Sequence, residues 1–245
     1  EFMSGSDSFK IVRTQVVDLR VPTSDTLLGS DPFHKKPNYA VVYVTLETAG
    51  GLQGHSVAFT AGAGNDWIAY GVRDLAQLLE GVSLDDFCAD PGAFYRLLID
   101  HHQLRWLADG VMRMAAGSLL NALWDLWAKK EGKPLWKLLV DLPPEKIVQS
   151  IDWRYIRDAL TPQEATDILA RGGEGKAGRE ARMLERGPKA YSTAGWLGLS
   201  DQQILDTCNQ MKAVGFDCFK MKVGQDLGQD RDRLAFIRAA IGDDA

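Results

Sequence analysis

The sequence predicts an α+β fold, with an antiparallel sheet packed on a helical bundle and parallel βα units after it. Three observations carry this reading. Up to Thr60, apolar residues alternate with polar ones, the period of half-buried strands. From Asn65 to Lys130 they recur at helical spacing instead. Beyond Leu142-Pro143-Pro144, strand-like and helix-like stretches alternate, the signature of parallel βα units.

Taken in order, Phe9 to Leu19 reads as the first strand. Ala40 to Thr48 is clearer, with Val42, Val44 and Leu46 on one face, and Gly50-Gly51 supplies turn chemistry before a third strand at His55 to Thr60. Between the first two strands, Pro22 to Asn38 is a long polar loop of the kind that is often functional or disordered. Asn65 is placed to cap a helix carrying Ile68, Val72, Leu75 and Leu79. Phe94, Leu97 and Leu98 mark another helix after Pro91. The strongest helical pattern is Val111 to Lys130, with Met112, Ala116, Leu119, Leu120, Leu123 and Trp127 along one side, stopped by Gly132 and Pro134. Trp124, Trp127 and Trp136 read as core packing.

After Pro144 the expectation is a strand at Ile147 to Ile156. Thr161-Pro162-Gln163-Glu164 forms a capping box with proline at the first helical position. Arg171 to Lys189, of mixed charge, reads as solvated helix and loop. Ser200-Asp201-Gln202-Gln203 caps a helix that ends near Gly215. A strand follows through Asp217-Cys218-Phe219-Lys220-Met221-Lys222-Val223-Gly224, and Asp226 to Ala240 is a final amphipathic helix.

Lys220 and Lys222 stand at i and i+2 of that strand, so they project to one side while Phe219, Met221 and Val223 fill the other. Two adjacent ammonium groups need anionic partners if they are buried. Each also disfavours protonation of the other, so one of the two can serve as a base. The pair equally fits an exposed edge strand with two solvated lysines.

With 245 residues, 45% hydrophobic and 25% charged, the chain is an ordinary globular one that can bury a core. A net charge of -5 argues against a general nucleic-acid binder. No apolar run approaches the roughly 20 residues needed to span a membrane, and no secretory signal opens the chain. Glu1-Phe2 before Met3 reads as a cloning remnant, with residues 1–8 a tag or disordered start. Cys88, Cys208 and Cys218 are scattered without metal spacing, which suggests reduced thiols and an intracellular location, cytoplasmic or mitochondrial.

Several stretches together resemble the enolase superfamily, and within it the L-fuconate dehydratase branch with its mitochondrial-enolase-superfamily-member-like proteins. They are Arg20-Val21-Pro22-Thr23-Ser24, Gly29-Ser30-Asp31, Gln103-Leu104-Arg105-Trp106, Asn121 to Lys129, Ile151-Asp152-Trp153-Arg154-Tyr155, Gly195-Trp196-Leu197-Gly198 and Phe219 to Gly224. The match is to the N-terminal part of that family. It implies a capping domain at residues 9–142 and, at 143–245, the first two βα units of a TIM-type (β/α) barrel that is incomplete in this chain. The implied reaction is Mg²⁺-assisted removal of the α-proton of a sugar acid, then loss of water to a 2-keto-3-deoxy acid.

By this resemblance Lys222 is the base, and Lys220 assists it by binding the substrate carboxylate. Gly29, Ser30, Asp31 and Tyr39 become substrate contacts from the loop, though Gly29 and Ser30 equally fit a plain turn and Tyr39 a strand-entry residue. The metal ligands and a histidine acid are expected beyond Ala245, so no metal site and no turnover are expected of these residues alone. The implied partner is a small sugar acid, with a homo-oligomer in the complete protein and neither nucleic acid nor membrane. A non-catalytic interaction form of the family, or another acid-sugar dehydratase or racemase, remains as an alternative. Pro32-Phe33-His34-Lys35-Lys36 and Leu107-Ala108-Asp109-Gly110 depart from the family pattern near the cap, which leaves the particular sugar acid open. His34, His55, His101 and His102 fall outside the family's catalytic positions and read as surface or core residues.

Overall fold

The computed structural model describes residues 7–100, 105–107 and 109–245. Two compact units emerge. Unit 1 comprises Glu1–Leu19, Ala40–Thr60 and Gly64–Lys176, and unit 2 comprises Arg20–Tyr39, Ala61–Ala63 and Ala177–Ala245. Residues 143–176 group with the first unit.

The sheet of unit 1 has the order β1 (Ile11–Arg20), β2 (Ala40–Thr48), β3 (Gln53–Thr60). β2 and β3 pair antiparallel from Ala40↔Thr60 to Glu47↔Gln53. Val42, Val44 and Leu46 are fully buried, as their alternation requires. Against them pack α1 (Asn65–Ala76), α2 (Leu84–Ala89), α3 (Pro91–Ile99) and α4 (Val111–Lys130). α4 carries Ala115, Ala116, Leu119, Leu123 and Leu126 into this core, and Gly132, at φ 63°, follows its end. Trp124 stacks on Trp127 with centroids 5.1 Å apart. Trp136, in α5 (Leu135–Asp141), departs from the core assignment and is 43% exposed.

Asn65 corrects another expectation. Gly64, at φ 85°, occupies the cap position, and the buried Asn65 amide donates to Asp18 while its oxygen accepts from Thr60. His55 sits in β3, its ring 3.2 Å from Thr45 Oγ1. His101 and His102, and the Gln103-Leu104 part of the family stretch, lie outside the described residues.

The expected strand at Ile147 to Ile156 does not form. Pro144 opens α6 (Pro144–Gln149) from its first turn, and Asp152 then caps a single 3-10 turn at Trp153–Tyr155 by accepting the Arg154 N–H. Trp153 donates its indole N–H to the Val148 carbonyl, which ties the turn to the helix. The capping box at Thr161 opens α7 (Pro162–Arg171), and α8 (Lys176–Arg186) is the solvated helix expected in the charge-rich segment.

In unit 2 the first strand is β4 (Ser192–Gly195), which the sequence reading passed over. It leads to α9 (Asp201–Ala213), opened by a capping box at Ser200, then to β5 (Phe219–Met221) and α10 (Leu227–Ile241). β4 and β5 run parallel, pairing Ser192 with Phe219 and Gly195 with Met221. Ala194, Ile204, Cys208, Ile237 and Ile241 form the unit's core, with Phe219 and Met221 packed against it. Val223 does not join them and is 46% exposed. Burial of Ile204 and of Ile237 here contributes about 1.5–3 kcal/mol of transfer free energy each.

Candidate active site

Lys220 lies in β5 and Lys222 one residue beyond its end, where the Lys222 N–H still donates to the Gly195 carbonyl at 2.8 Å. The extended backbone sends both amines to the side opposite Phe219 and Met221. There they meet the two aromatic residues that flank β4. Lys220 Nζ is 5.6 Å from the Tyr191 ring centroid, and Lys222 Nζ is 5.3 Å from that of Trp196. Among the described residues neither ammonium has an ion-pair partner. A cation over an aromatic face gains something from the ring quadrupole, but it keeps donors free for an anion.

The segment after β4 anchors the long loop. Leu197 N–H donates to the Ser30 carbonyl at 3.3 Å, and Gly198 N–H donates to Ser30 Oγ at 2.8 Å. Ser30 is 1% exposed, so its hydroxyl serves first as a tether. Gly29 takes φ 86°, and a Cβ there would lie 2.3 Å from Tyr39 Cζ and Oη. Only a residue without a side chain allows the Tyr39 ring so close to this turn.

Asp31 accepts the Phe33 N–H at 2.9 Å and the His34 N–H at 2.7 Å, with the His34 ring 3.2 Å away. These bonds, the His34 backbone N–H above all, hold its carboxyl below the usual carboxylate range. Burial, with Asp31's charge second, pushes the Tyr39 phenol up. The loop therefore offers an ionised acceptor beside a neutral phenol. A Cβ built on Gly224 would lie 3.6 Å from Pro32 Cγ, which brings the loop against the segment two residues past Lys222.

Two contributors carried no role in the sequence reading. Gly195-Trp196-Leu197-Gly198 served there as a family stretch, whereas here it pairs with Lys222 and holds Ser30. Arg233 of α10 donates to the Lys222 carbonyl at 3.3 Å and to the Trp196 carbonyl at 2.8 Å. An arginine in an amphipathic helix gives no local signal of such a task.

The Asp152-Trp153-Arg154 stretch lies instead in unit 1, in a cleft of about 370 Å³ that also includes Tyr95, Arg96 and Arg157. Arg154 pairs there with Asp152 at 2.6 Å and Asp100 at 2.8 Å. Among the described residues, no group of three or more His, Cys, Asp or Glu could hold a metal ion.

The model of the mandelate racemase / muconate lactonizing enzyme N-terminal domain matches residues 13–140. Mitochondrial enolase superfamily member 1 of Xenopus laevis is 45% identical over 240 residues, covering 96% of this chain and 54% of that protein. L-galactonate dehydratase of Hypocrea jecorina is 40% identical over 231 residues, covering 93% and 51%. The crystal structure of human mitochondrial enolase superfamily member 1 superposes with a TM-score of 0.90 at 43% identity, over 95% of this chain and 54% of that one. L-talarate dehydratase from Polaromonas, solved with Mg and L-glucarate, shares the fold at a TM-score of 0.59 and 22% identity, over 96% and 52%. The chain spans about half the length of the curated relatives it matches.

Proposed function

Because the chain belongs to the mandelate racemase / muconate lactonizing enzyme family of the enolase superfamily, we propose that it is the N-terminal part of a Mg²⁺-dependent acid-sugar dehydratase. The observation that carries this reading is the Lys220/Lys222 pair, two amines on one side of a strand parallel to β4 and each against an aromatic ring. Lys222 takes the α-proton of the bound acid. Lys220 holds the substrate carboxylate. Gly29, Ser30, Asp31 and Tyr39 form the loop side of the substrate site, with Asp31 accepting from sugar hydroxyls and Tyr39 donating to them.

The described residues do not fit a magnesium site by themselves. Its ligands are assigned to the remaining part of the protein, as are the later barrel strands. Residues 1–245 alone are accordingly not expected to turn over substrate. L-Fuconate is the first candidate, and L-galactonate follows from the Hypocrea relative. The complete protein is read as a homo-oligomer in an intracellular compartment, cytoplasmic or mitochondrial.

The test is to incubate the full-length protein and Mg²⁺ with a panel of six-carbon sugar acids and to measure 2-keto-3-deoxy acid. Formation from L-fuconate or a close relative is the expected result. Failure to dehydrate any member of the panel overturns the reading.

A further inference from the structure

The geometry points to Arg233 as a positioning residue for Lys222, and this rests on the reading that Lys222 is the base. Arg233 is half-buried in α10, and among the described residues its guanidinium has no carboxylate partner. Its two recorded bonds go to main-chain carbonyls, one at Lys222 and one at Trp196. Those carbonyls lie just past the ends of β5 and β4, on the two residues that carry the amine and the ring against it. Charge-assisted bonds of this kind are about twice as strong as neutral ones, and the rigid fork of a guanidinium can hold two acceptors at once, which an ammonium on a flexible stem does less well.

A second contact from the same helix supports this. Asp230, one turn before Arg233, accepts the Gly224 N–H at 2.7 Å. α10 therefore grips the chain on both sides of the exposed Val223, at Lys222 and at Gly224. β5 itself is only three residues long, and Lys222 lies beyond it. Apart from the Lys222 N–H bond to Gly195, the ladder does little to fix the base, and the helix supplies what the strand does not. A displacement of about 1 Å at a reacting group can cost on the order of 10²-fold in rate, so a clamp on this backbone has a direct catalytic use.

The experiment has a spectroscopic arm and a kinetic arm on the full-length protein. For the first, lysines are reductively methylated with ¹³C-formaldehyde, and the Lys222 signal is assigned by its loss in Lys222→Arg. The Trp196 ring should displace that signal upfield, and Trp196→Leu should remove the displacement. Arg233→Met should lose most of it, and Arg233→Lys should keep an intermediate part, while the Lys220 signal stays near its original position in both. For the second arm, exchange of the substrate α-proton in D₂O should fall on the order of 10²-fold in Arg233→Met with KM changed little.

An Arg233→Met or, should that variant not fold, an Arg233→Lys protein with an unchanged Lys222 shift would overturn the positioning role whatever its activity. A Lys222 displacement mostly lost in Arg233→Met and partly kept in Arg233→Lys, with a wild-type protein that exchanges no α-proton, would uphold the clamp and sink the base assignment instead.

Discussion

The Lys222 ammonium lies 5.3 Å from the centroid of the Trp196 indole, joining the end of β5 to the end of β4 through side chains as well as through the ladder. The same short segment that presents this ring, residues 195–198, holds Ser30 of the long loop through two N–H groups. One stretch of backbone thus sets the amine and the loop together.

Gly29→Ala should damage the loop more than its size suggests. The φ of 86° is costly for any residue with a side chain, and the new methyl would sit 2.3 Å from the Tyr39 ring. A loss of about 1 kcal/mol or more is expected from the backbone alone, with weaker sugar-acid binding because Tyr39 must move. A thermal shift assay and a substrate titration of the variant measure both effects. Unchanged melting and unchanged affinity would show that the turn is not strained in this way.

Asp141 provides the pH dependence. Lys133 and Lys137 each reach it at 2.8 Å, and these two bonds hold its carboxyl well below the usual carboxylate range. A carboxyl depressed in the folded state stabilises the fold above its unfolded value near about 4, and that contribution is lost as pH falls through the folded value. Asp141→Asn should therefore melt below wild type at neutral pH, and the gap should close on strong acidification. A gap that is constant from about pH 7 to about pH 2 would mean the ion pairs contribute nothing.

Cys88 should be a slow thiol. Burial pushes it up to about 11, against the partial relief of the Lys130 charge. Only the thiolate reacts, so relative to an ordinary cysteine its reactive fraction near neutral pH falls roughly 10²-fold. Timed iodoacetamide labelling read by mass spectrometry should show Cys88 alkylated slowly in the native protein and rapidly in urea. Equal rates in both states would contradict its burial.

Much of the fold was legible because local chemistry and global packing agree. β2 has the bounds its alternation gives, α4 begins and ends where its apolar stripe and Gly132 require, and the boxes at Thr161 and Ser200 open helices. The failures have physical causes. Ile147, Val148 and Ile151 suit a strand, but Pro144 at the first helical position and Asp152 as a cap decided the backbone there. β4 was missed because Ser-Thr-Ala-Gly is short and small, and it is a strand only because β5 lies beside it. The lysine pair could be read from its spacing. The Trp196 ring and the Arg233 fork could not, since both depend on tertiary contacts between elements far apart in sequence.

The most direct measurement is α-proton exchange in D₂O by full-length Lys222→Ala and Lys220→Ala proteins. If Lys222 is the base, its removal should cost at least about 10²- to 10⁴-fold in exchange and abolish dehydration with it. Lys220→Ala should retain measurable exchange while binding the acid more weakly, because it loses a carboxylate contact and keeps the base. Exchange at near the native rate in Lys222→Ala, with none in Lys220→Ala, would reverse the two roles.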